Sequence, residues 1–271
     1  MLQTRFPRRT TQGVTLIEMV IVISITAIIA GSVAVFISRP FEGYIDSARR
    51  AELSDIADTA LRRMTRDLRT ALPNSIRITT SAGVTYLEYL ETSGGGRYRA
   101  EADNSGGGNV LSTGVLDDAF DVIGPVPALA AGDSIVVYNL SSSGTVANAY
   151  SGDNRGSYSS TAGSTINLSP NKLFPFPSPG KRFQVVQHAV TYACDPGSGE
   201  LRRYWSYGIA AAQATPPSTT NNALLASSIT QCEFTYTEAG SRTGVVRLAL
   251  TVERNLEKVR LFQQVHLNNA P

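Results

Sequence analysis

Hydrophobic residues are concentrated in one uninterrupted block near the N-terminus. From Met19 to Ile37 the chain has 19 residues without a charge, almost all of them aliphatic or small. As an α-helix this block would be about 28 Å long, close to the ~30 Å hydrocarbon core of a bilayer. Arg5, Arg8 and Arg9 precede it, and the bias of basic residues toward the cytoplasmic side predicts a cytoplasmic N-terminus. We therefore expect the rest of the chain to be exported.

A helical period continues beyond this block. Between residues 42 and 72 apolar side chains recur every three or four positions and form one stripe. The stripe consists of Leu53, Ile56, Ala60, Met64, Leu68 and Ala71. The Arg-Pro pair at residues 39–40 predicts a kink or a short break, and the Leu-Pro-Asn at 72–74 predicts the helix end. A nearly continuous helix over residues 14–72 would be about 88 Å long, so we expect a projecting first part and a second part packed on a sheet.

Beyond Pro73 the pattern changes to short strand-like runs separated by Gly, Ser, Asn and Pro. The runs are Ile76–Thr80, Val84–Leu90, Ala119–Ile123, Asp133–Asn139, Thr165–Leu168, Arg182–Gln187, Ala189–Cys194, Leu201–Tyr207, Ile229–Thr237, Gly244–Arg254 and Lys258–Leu267. Because no strand–helix–strand alternation occurs, we predict a mainly antiparallel sheet and an α+β fold. Hairpin turns are predicted at 194–199 and near Asn255. Mobile surface loops are predicted at 94–108, 141–164 and 208–224.

Composition narrows the function classes. The 271 residues include 24 Lys and Arg against 22 Asp and Glu, and the formal charge of +2 is too small to predict a nucleic-acid surface. Two cysteines and two histidines are too few for a disulfide-dense scaffold or a multi-ligand zinc module. A mean hydropathy of −0.06 excludes a polytopic membrane protein but allows a single span. Residues 1–13 contain three arginines and no acidic residue. The remaining residues, 14–271, therefore contain 21 basic and 22 acidic side chains.

The sequence contains no recognisable catalytic motif. His188 and His266 each lie in a strand-like run, where a histidine is usually structural. The triple glycines at 94–96 and 106–108 lack the Lys-Ser/Thr of a phosphate loop. Three acids offer oxygen ligands for calcium without EF-hand spacing, which favours a solvated turn: Asp117, Asp118 and Asp121. We therefore predict no enzymatic activity, no cofactor and no metal site.

Two clusters allow a binding role. One is an aromatic group beside two arginines, and it can stack on bases or sugars, although strand aromatics more often pack on a core. It consists of Tyr204, Trp205, Tyr207, Arg202 and Arg203. The other is a basic stretch of the predicted helix, Arg62, Arg63, Arg66 and Arg69. Acids at positions 55, 58 and 67 favour a solvated helix face over a DNA-binding face, so no nucleic-acid partner is predicted.

The entrance of the apolar block distinguishes two kinds of N-terminal signal. A secretory signal would be cut after the block, where Ser-Val-Ala at 32–34 is a passable site. The block is longer than a usual signal core, however, and Glu18 at its entrance needs a partner, because a carboxylate in lipid costs about 2–3 kcal/mol. Residues 13–23, GVTLIEMVIVI, resemble the processing signal of type IV prepilins: a Gly before the cut, a hydrophobic residue after it and Glu five positions into the mature chain.

The resemblance implies a role for each residue of the motif. A prepilin peptidase would cut between Gly13 and Val14 and methylate the new α-amine. Val14 departs from the usual Phe, which bears on processing efficiency. Glu18 would pair with the N-terminal amine of an adjacent subunit and set the axial register, since two opposite charges attract strongly outside water. The implied domains are a leader at 1–13, a membrane and filament-core helix at 14–38, an amphipathic extension at 39–72 and a β-rich periplasmic head at 73–271.

Further segments are similar to the O-type minor pilins of the mannose-sensitive haemagglutinin (MSHA) pilus. They are residues 71–77, 132–139, 181–186, 201–205 and 264–271. This resemblance implies a low-abundance subunit for initiation or the tip of a surface pilus. The implied partners are prepilin peptidase, other major and minor pilins and an inner-membrane assembly platform, with insertion in the inner membrane before assembly. The alternatives are a J-type minor pseudopilin of type II secretion, a DNA-uptake minor pilin and a signal-anchored periplasmic binding or hydrolytic domain.

The two cysteines lie in the part of the chain that is expected to be exported, where disulfides persist. A bridge between Cys194 and Cys232 is expected, with two free buried thiols as the alternative. The resemblance points the same way, because a C-terminal disulfide loop recurs in many pilins, although its position varies.

Overall fold

The described part of the chain comprises residues 13–238 and 243–271 of a computed structural model, without the side chains of residues 37–42. Arg5, Arg8 and Arg9, on which the predicted membrane orientation rests, lie outside these residues. The chain divides into two compact units, Met1–Ala51 and Glu52–Pro271.

The described residues form one helix and twelve strands. They are α1 (Leu16–Leu68), β1 (Arg77–Ser81), β2 (Val84–Tyr98), β3 (Leu116–Ile123), β4 (Ser134–Val137), β5 (Arg155–Ala162), β6 (Thr165–Leu173), β7 (Arg182–Asp195), β8 (Glu200–Tyr207), β9 (Asn222–Ser227), β10 (Ile229–Glu238), β11 (Thr243–Arg254) and β12 (Glu257–Asn268). Every strand pairing among them is antiparallel. The predicted α+β class with a mainly antiparallel sheet is confirmed.

Helix α1 differs from its predicted bounds at two places. It is helical through residues 39–40, so the short break predicted there is absent from the described backbone. It ends at Leu68 rather than Leu72. The N–H of Leu72 instead donates to the carbonyl of Leu90 in β2 at 2.8 Å. Pairing with a strand distant in sequence therefore ends the helix earlier than the local pattern indicates.

The apolar stripe of α1 forms one side of the larger hydrophobic core in the second unit. Leu53, Ala60, Met64 and Leu68 are fully buried, while Ile56 and Ala71 are partly buried against the same cluster, so the predicted stripe is confirmed. The other side consists of residues from both sheets, among them Leu87, Tyr89, Val190, Tyr192, Val246, Leu248 and Leu250. The helix is thus held by burial of its stripe rather than by its own propensity.

Two long strands carry most of the sheet. Strand β2 pairs with β7 from Thr85↔Cys194 to Arg97↔Arg182, with register shifts near Glu91 and Thr92. The two predicted strands Arg182–Gln187 and Ala189–Cys194 are therefore one strand. The strand order β1-β2-β3-β6-β5-β4-β7-β8-β9, together with the β2–β7 pairing, closes a circuit of six strands, β2-β3-β6-β5-β4-β7.

A second hydrophobic core lies among the strands of this closed circuit. Phe120 and Phe183 meet edge to face with ring centroids 5.3 Å apart, and Ile135, Ile166 and Val185 are fully buried beside them. The flanking backbone comes so close to Phe183 that a Cβ on residue 96 would lie 2.9 Å from its ring. Glycine is required at that position because any side chain would overlap the ring.

Three predicted surface loops are partly strands. Residues 94–98 belong to β2, Arg155–Ala162 forms β5, and β9 begins at Asn222. The loop prediction is wrong for these residues. Their Gly, Ser, Thr and Asn composition is typical of loops. In the folded protein, however, each segment pairs with a neighbouring strand: β2 with β7, β5 with β6 and β9 with β8. Local composition therefore misses them.

Both predicted hairpins are confirmed. Strands β7 and β8 are joined by a turn that follows the Asp195↔Glu200 pair. Strands β11 and β12 turn at Asn255 and Leu256, whose φ angles of 51° and 69° match the left-handed conformation of a tight hairpin turn. These turns depend on local sequence, which explains why the prediction succeeds here.

A disulfide joins the two sheets. Cys194 in β7 belongs to the nine-stranded sheet and Cys232 in β10 to the three-stranded sheet, and their sulfur atoms are bonded with the Cα atoms 6.4 Å apart. Cys194 is fully buried. The bond therefore closes a loop that includes β8 and β9 and ties the sheets together beneath the helix.

A buried carboxylate links the helix to the sheet. Asp67 of α1 accepts hydrogen bonds from Tyr192 Oη at 2.7 Å and from Arg203 Nε at 2.9 Å, and Arg63 Nε lies 3.0 Å from its other oxygen. Burial raises the pKa of Tyr192, so the phenol stays protonated and donates to Asp67. Arg203 also lies 3.6 Å from Glu91 of β2. One carboxylate thus connects α1, β7 and β8.

Replacing both cysteines by alanine is expected to lower the free energy of unfolding by about 4 kcal/mol, because the 38-residue separation of Cys194 and Cys232 makes the unfolded chain much more restricted when they are bonded. Urea unfolding followed by the fluorescence of Trp205 measures this loss. Reductant should shift the unmodified chain by a similar amount and leave the double variant unchanged. An unaltered urea midpoint in the double variant contradicts a stabilising bridge.

Asp67→Asn is expected to lower the free energy of unfolding by about 3 kcal/mol, because it leaves the largely buried Arg203 without its closest carboxylate. Asp58→Asn is the matched control on the same helix. Among the residues described, Asp58 pairs with the exposed Arg62 alone, so its loss should cost about 0.5 kcal/mol or less. Equal losses for the two variants would show that Asp67 does not link the helix to the sheet.

Candidate functional site

The predicted cleavage position precedes the helix. Gly13, Val14 and Thr15 are outside the helical conformation, and α1 begins at Leu16. The N–H of Glu18 donates to Thr15 Oγ1 at 3.3 Å, so Thr15 caps the first turn. Gly13 and Val14 are exposed. The bond between them therefore lies in non-helical, accessible backbone, which is the form that a peptidase cleft can accept.

Glu18 lies in the first turn of α1, where its charge is favoured by the partial positive charge of the helix N-terminus. Its side chain is exposed, and no basic side chain in the described part of the chain forms an ion pair with it. The carboxylate is followed directly by the apolar block. A cation that pairs with Glu18 in an apolar environment would therefore come from outside the described residues.

The helix behind Glu18 presents an apolar surface on every side. Leu16–Phe36 is the one segment of the described chain long and apolar enough to cross a membrane, with a mean hydropathy of 2.6 and none of its residues buried within the protein. The hydroxyl groups of Ser24, Thr26 and Ser32 donate hydrogen bonds to backbone carbonyls one turn earlier in the helix. Their polar groups are thereby satisfied within the helix, which suits lipid or other apolar helices.

Four of the five segments that resemble MSHA minor pilins meet at one place in the second unit. Asn74 donates to the carbonyl of Asn139 at 2.9 Å, Asn139 donates to the carbonyl of Pro73 at 2.7 Å, and Asn269 donates to Tyr236 Oη at 2.6 Å. The segments at 71–77, 132–139, 181–186 and 264–271 line one small cavity beside these asparagines. The tertiary structure thus joins residues far apart in sequence into one polar junction.

Glu88 of β2 and Arg77 of β1 form a buried ion pair in the second unit. Glu88 is almost fully buried and accepts a hydrogen bond from Arg77 Nη2 at 2.7 Å, yet burial outweighs this contact and raises the pKa of the carboxyl. The Arg77 guanidinium lies 3.6 Å from the centre of the Tyr150 ring. These groups are enclosed by β1, β2 and their neighbours, which indicates a structural ion pair rather than a reactive site.

The two histidines have different surroundings. His188 Nε2 lies 2.9 Å from Glu91, and this hydrogen bond is the main reason that the pKa of Glu91 is lowered. The structural role predicted for a strand histidine therefore holds for His188. His266 is exposed on β12. The two histidines are on different sheets, so the fold does not bring them together.

The three candidate calcium ligands have different surroundings, and two of them accept hydrogen bonds from other residues. Asp121 accepts from Thr165 Oγ1 at 2.6 Å and lies 3.2 Å from Arg99, and these contacts lower its pKa. Asp117 accepts from the N–H of Ser112 at 2.6 Å. Asp118 is exposed at the start of β3. In the described ranges no group of three or more His, Cys, Asp or Glu residues could hold a metal ion.

Several residues of the aromatic and basic clusters have packing or ion-pair partners within the protein. Trp205 packs against the larger core with the Arg203 guanidinium 5.3 Å from its ring centre, so core packing is confirmed for this residue. Arg62 pairs with Asp58 at 2.6 Å, in agreement with a charge-balanced helix face. Arg66 and Arg69 are exposed and form no ion pair with any described carboxylate.

Sequence reasoning missed two features of these sites. The Thr-x-x-Glu spacing of Thr15 and Glu18 is a known N-terminal helix signal and would have located the start of α1. The role of Asp67 had no such signal, because it is one of several acids that alternate with arginines along the helix. Only contact with Tyr192 and Arg203 distinguishes Asp67 from its neighbours.

Comparison with known proteins bears on the N-terminal segment. The family model of the prokaryotic N-terminal methylation motif matches residues 8–34. The chain matches none of the curated proteins and none of the solved structures. The matched motif is a structural, pilin-type motif rather than an enzyme family. Together with the apolar helix Leu16–Phe36 and the antiparallel β-sheet head, it supports a membrane-anchored, type IV pilin-like protein.

Proposed function

We propose that the protein is a minor pilin of an MSHA-type type IV pilus, acting in initiation of the filament or at its tip. The observation that carries this proposal is the placement of Gly13, Val14 and Glu18 at the start of the hydrophobic, unburied helical segment Leu16–Phe36. Residues 8–34 match the methylation motif, which supports processing by a prepilin peptidase. The resemblance of five segments of the second unit favours the MSHA type.

The mechanism of such a subunit is assembly rather than chemistry. Before assembly, the apolar helix Leu16–Phe36 holds the subunit in the inner membrane, with the second unit in the periplasm. After cleavage, the amine of Val14 and the carboxylate of Glu18 belong to the same helix end. An amine of one subunit and Glu18 of the next neutralise each other inside an apolar helix bundle, and the strength of this attraction outside water fixes their axial offset. An inner-membrane platform and the other pilins then extend the bundle.

A J-type minor pseudopilin of type II secretion shares the motif, the apolar helix and a β-rich head. Deletion of the gene separates the two roles. Loss of surface pili with normal release of exoproteins supports the pilus subunit, whereas blocked release with normal piliation supports the pseudopilin.

Processing is expected to yield a chain that begins with N-methylated Val14. Mass spectrometry of the N-terminal peptide from the membrane fraction tests this. Gly13→Val should retain Met1, because a larger side chain before the scissile bond hinders the peptidase. Gly31→Val is the matched control, since both glycines have open space around the position of a Cβ. An intact Met1 in the unmodified chain, or a start near Val35, would favour a signal-anchored or secreted periplasmic domain instead.

Glu18→Ala is expected to be cleaved normally but to enter filaments at a level lower by about tenfold or more, because the partner amine would be left unpaired in the apolar bundle. Quantitative immunoblotting of sheared filaments and membranes measures the ratio. Asp46→Ala is the control, since it removes an acid from the same helix outside the apolar segment. Normal incorporation of the Glu18 variant would refute the pairing role.

A further inference from the structure

An arginine-lined cleft lies between the helix and the end of the large sheet in the second unit. We name it the Arg–Trp cleft. It has a volume of about 480 Å³, and its lining includes Arg63 and Arg66 of α1, Arg203 and Trp205 of β8 and Leu224 of β9. This cleft is separate from the apolar segment that the proposed assembly role uses.

The charge of the cleft is incompletely neutralised by the protein. Arg63 and Arg203 share one carboxylate, Asp67, with the second carboxylate, Glu91, 3.6 Å from Arg203. Arg66 has no ion-pair partner among the described residues and is exposed. The cleft therefore offers a guanidinium that is free to bind a carboxylate from another molecule.

One border of the cleft is an open strand edge. Strand β9 is the last strand of the nine-stranded sheet and pairs only with β8 among the described strands. Its register with β8 shifts between Leu201 and Arg202, and Leu224 is half exposed. An unpaired strand edge presents backbone N–H and C=O groups to an added strand.

The floor of the cleft is apolar. Trp205 packs on the larger core, and the Arg203 guanidinium lies 5.3 Å from its ring centre. Ala223, Leu224 and Leu225 continue this apolar lining along β9. A half-buried aromatic beside arginines is typical of the residues that dominate protein–protein binding energy.

We propose that the Arg–Trp cleft binds an extended acidic segment of a partner protein, which adds as a strand to the outer edge of β9. A carboxylate of the segment pairs with Arg66 and Arg63, and an apolar side chain rests on Trp205 and Leu224. The combination of a free strand edge with an apolar lining favours a peptide over an anionic sugar, because a sugar offers neither a backbone ladder nor an apolar side chain.

The test uses the full chain in a nonionic detergent and the peptide acetyl-VEVEVE-amide. Trp205 is the only tryptophan of the protein, so its fluorescence reports on the cleft directly. The peptide is expected to change this fluorescence in a saturable manner and to bind more weakly as salt increases. A peptide with lysine in place of glutamate should not bind.

Variants locate the binding. Arg66→Ala should weaken binding by about tenfold, the effect of losing a hydrogen bond to a charged group. Arg69→Ala is the matched control, because Arg69 is also exposed and unpaired among the described residues but lines a different groove, next to β12. Leu224→Glu should also abolish binding, and unchanged urea midpoints would show that the variants remain folded.

Each other outcome contradicts the proposal. No response of Trp205, or equal loss of affinity in the Arg66 and Arg69 variants, would refute the cleft as the site. Equal binding by a peptide with prolines at alternate positions would refute strand addition, because proline has no N–H to donate. Binding of an oligomeric uronic acid in place of the peptide would identify the ligand as an anionic sugar. Normal or failed processing at Val14 has no bearing on these results.

Discussion

The pairing of β2 with β7 is the constraint on which the rest of the second unit depends. These strands run together from Thr85↔Cys194 to Arg97↔Arg182, and they contribute to the core beneath α1 and to the core within the six-stranded circuit. At one end their residues meet the stripe of α1 and the disulfide. At the other end they close the six-stranded circuit around Phe120 and Phe183. The paired strands therefore connect the core beneath α1 to the core within the six-stranded circuit.

Two buried carboxylates beside the junction of helix and sheet each have charged partners. Asp67 connects Arg63, Tyr192 and Arg203, and Glu88 is held by Arg77. An unpaired charge in these positions would cost more than the pair contributes, so the partners specify which face of the helix meets which strand. The same arrangement leaves Arg66 outside the network, at the border of the Arg–Trp cleft. Stability and the binding surface thus come from adjacent residues of one helix.

The success of sequence reasoning depended on how local each interaction is. The helix stripe and the hairpin turn at Asn255 follow from periods and turn residues within a few positions, and both are confirmed. The glycines at 94–96 were expected in a loop because glycine is common there, but they lie in β2, where the ring of Phe183 leaves no room for a side chain at residue 96. Strand Arg155–Ala162 has loop-like composition and is formed by its pairing with β4 and β6.

The sequence by itself determined the features that need no distant contact. An uncharged block of sufficient length, the motif at its entrance and the helical stripe after it predict a membrane-anchored, pilin-like chain, because hydrophobicity and helical period are local properties. Only the tertiary structure decided the roles of Asp67, Arg66 and Trp205. In sequence they resemble other acids, arginines and aromatics, and what separates them is which strand lies opposite each one. That choice depends on closing long loops and burying apolar surface throughout the whole second unit.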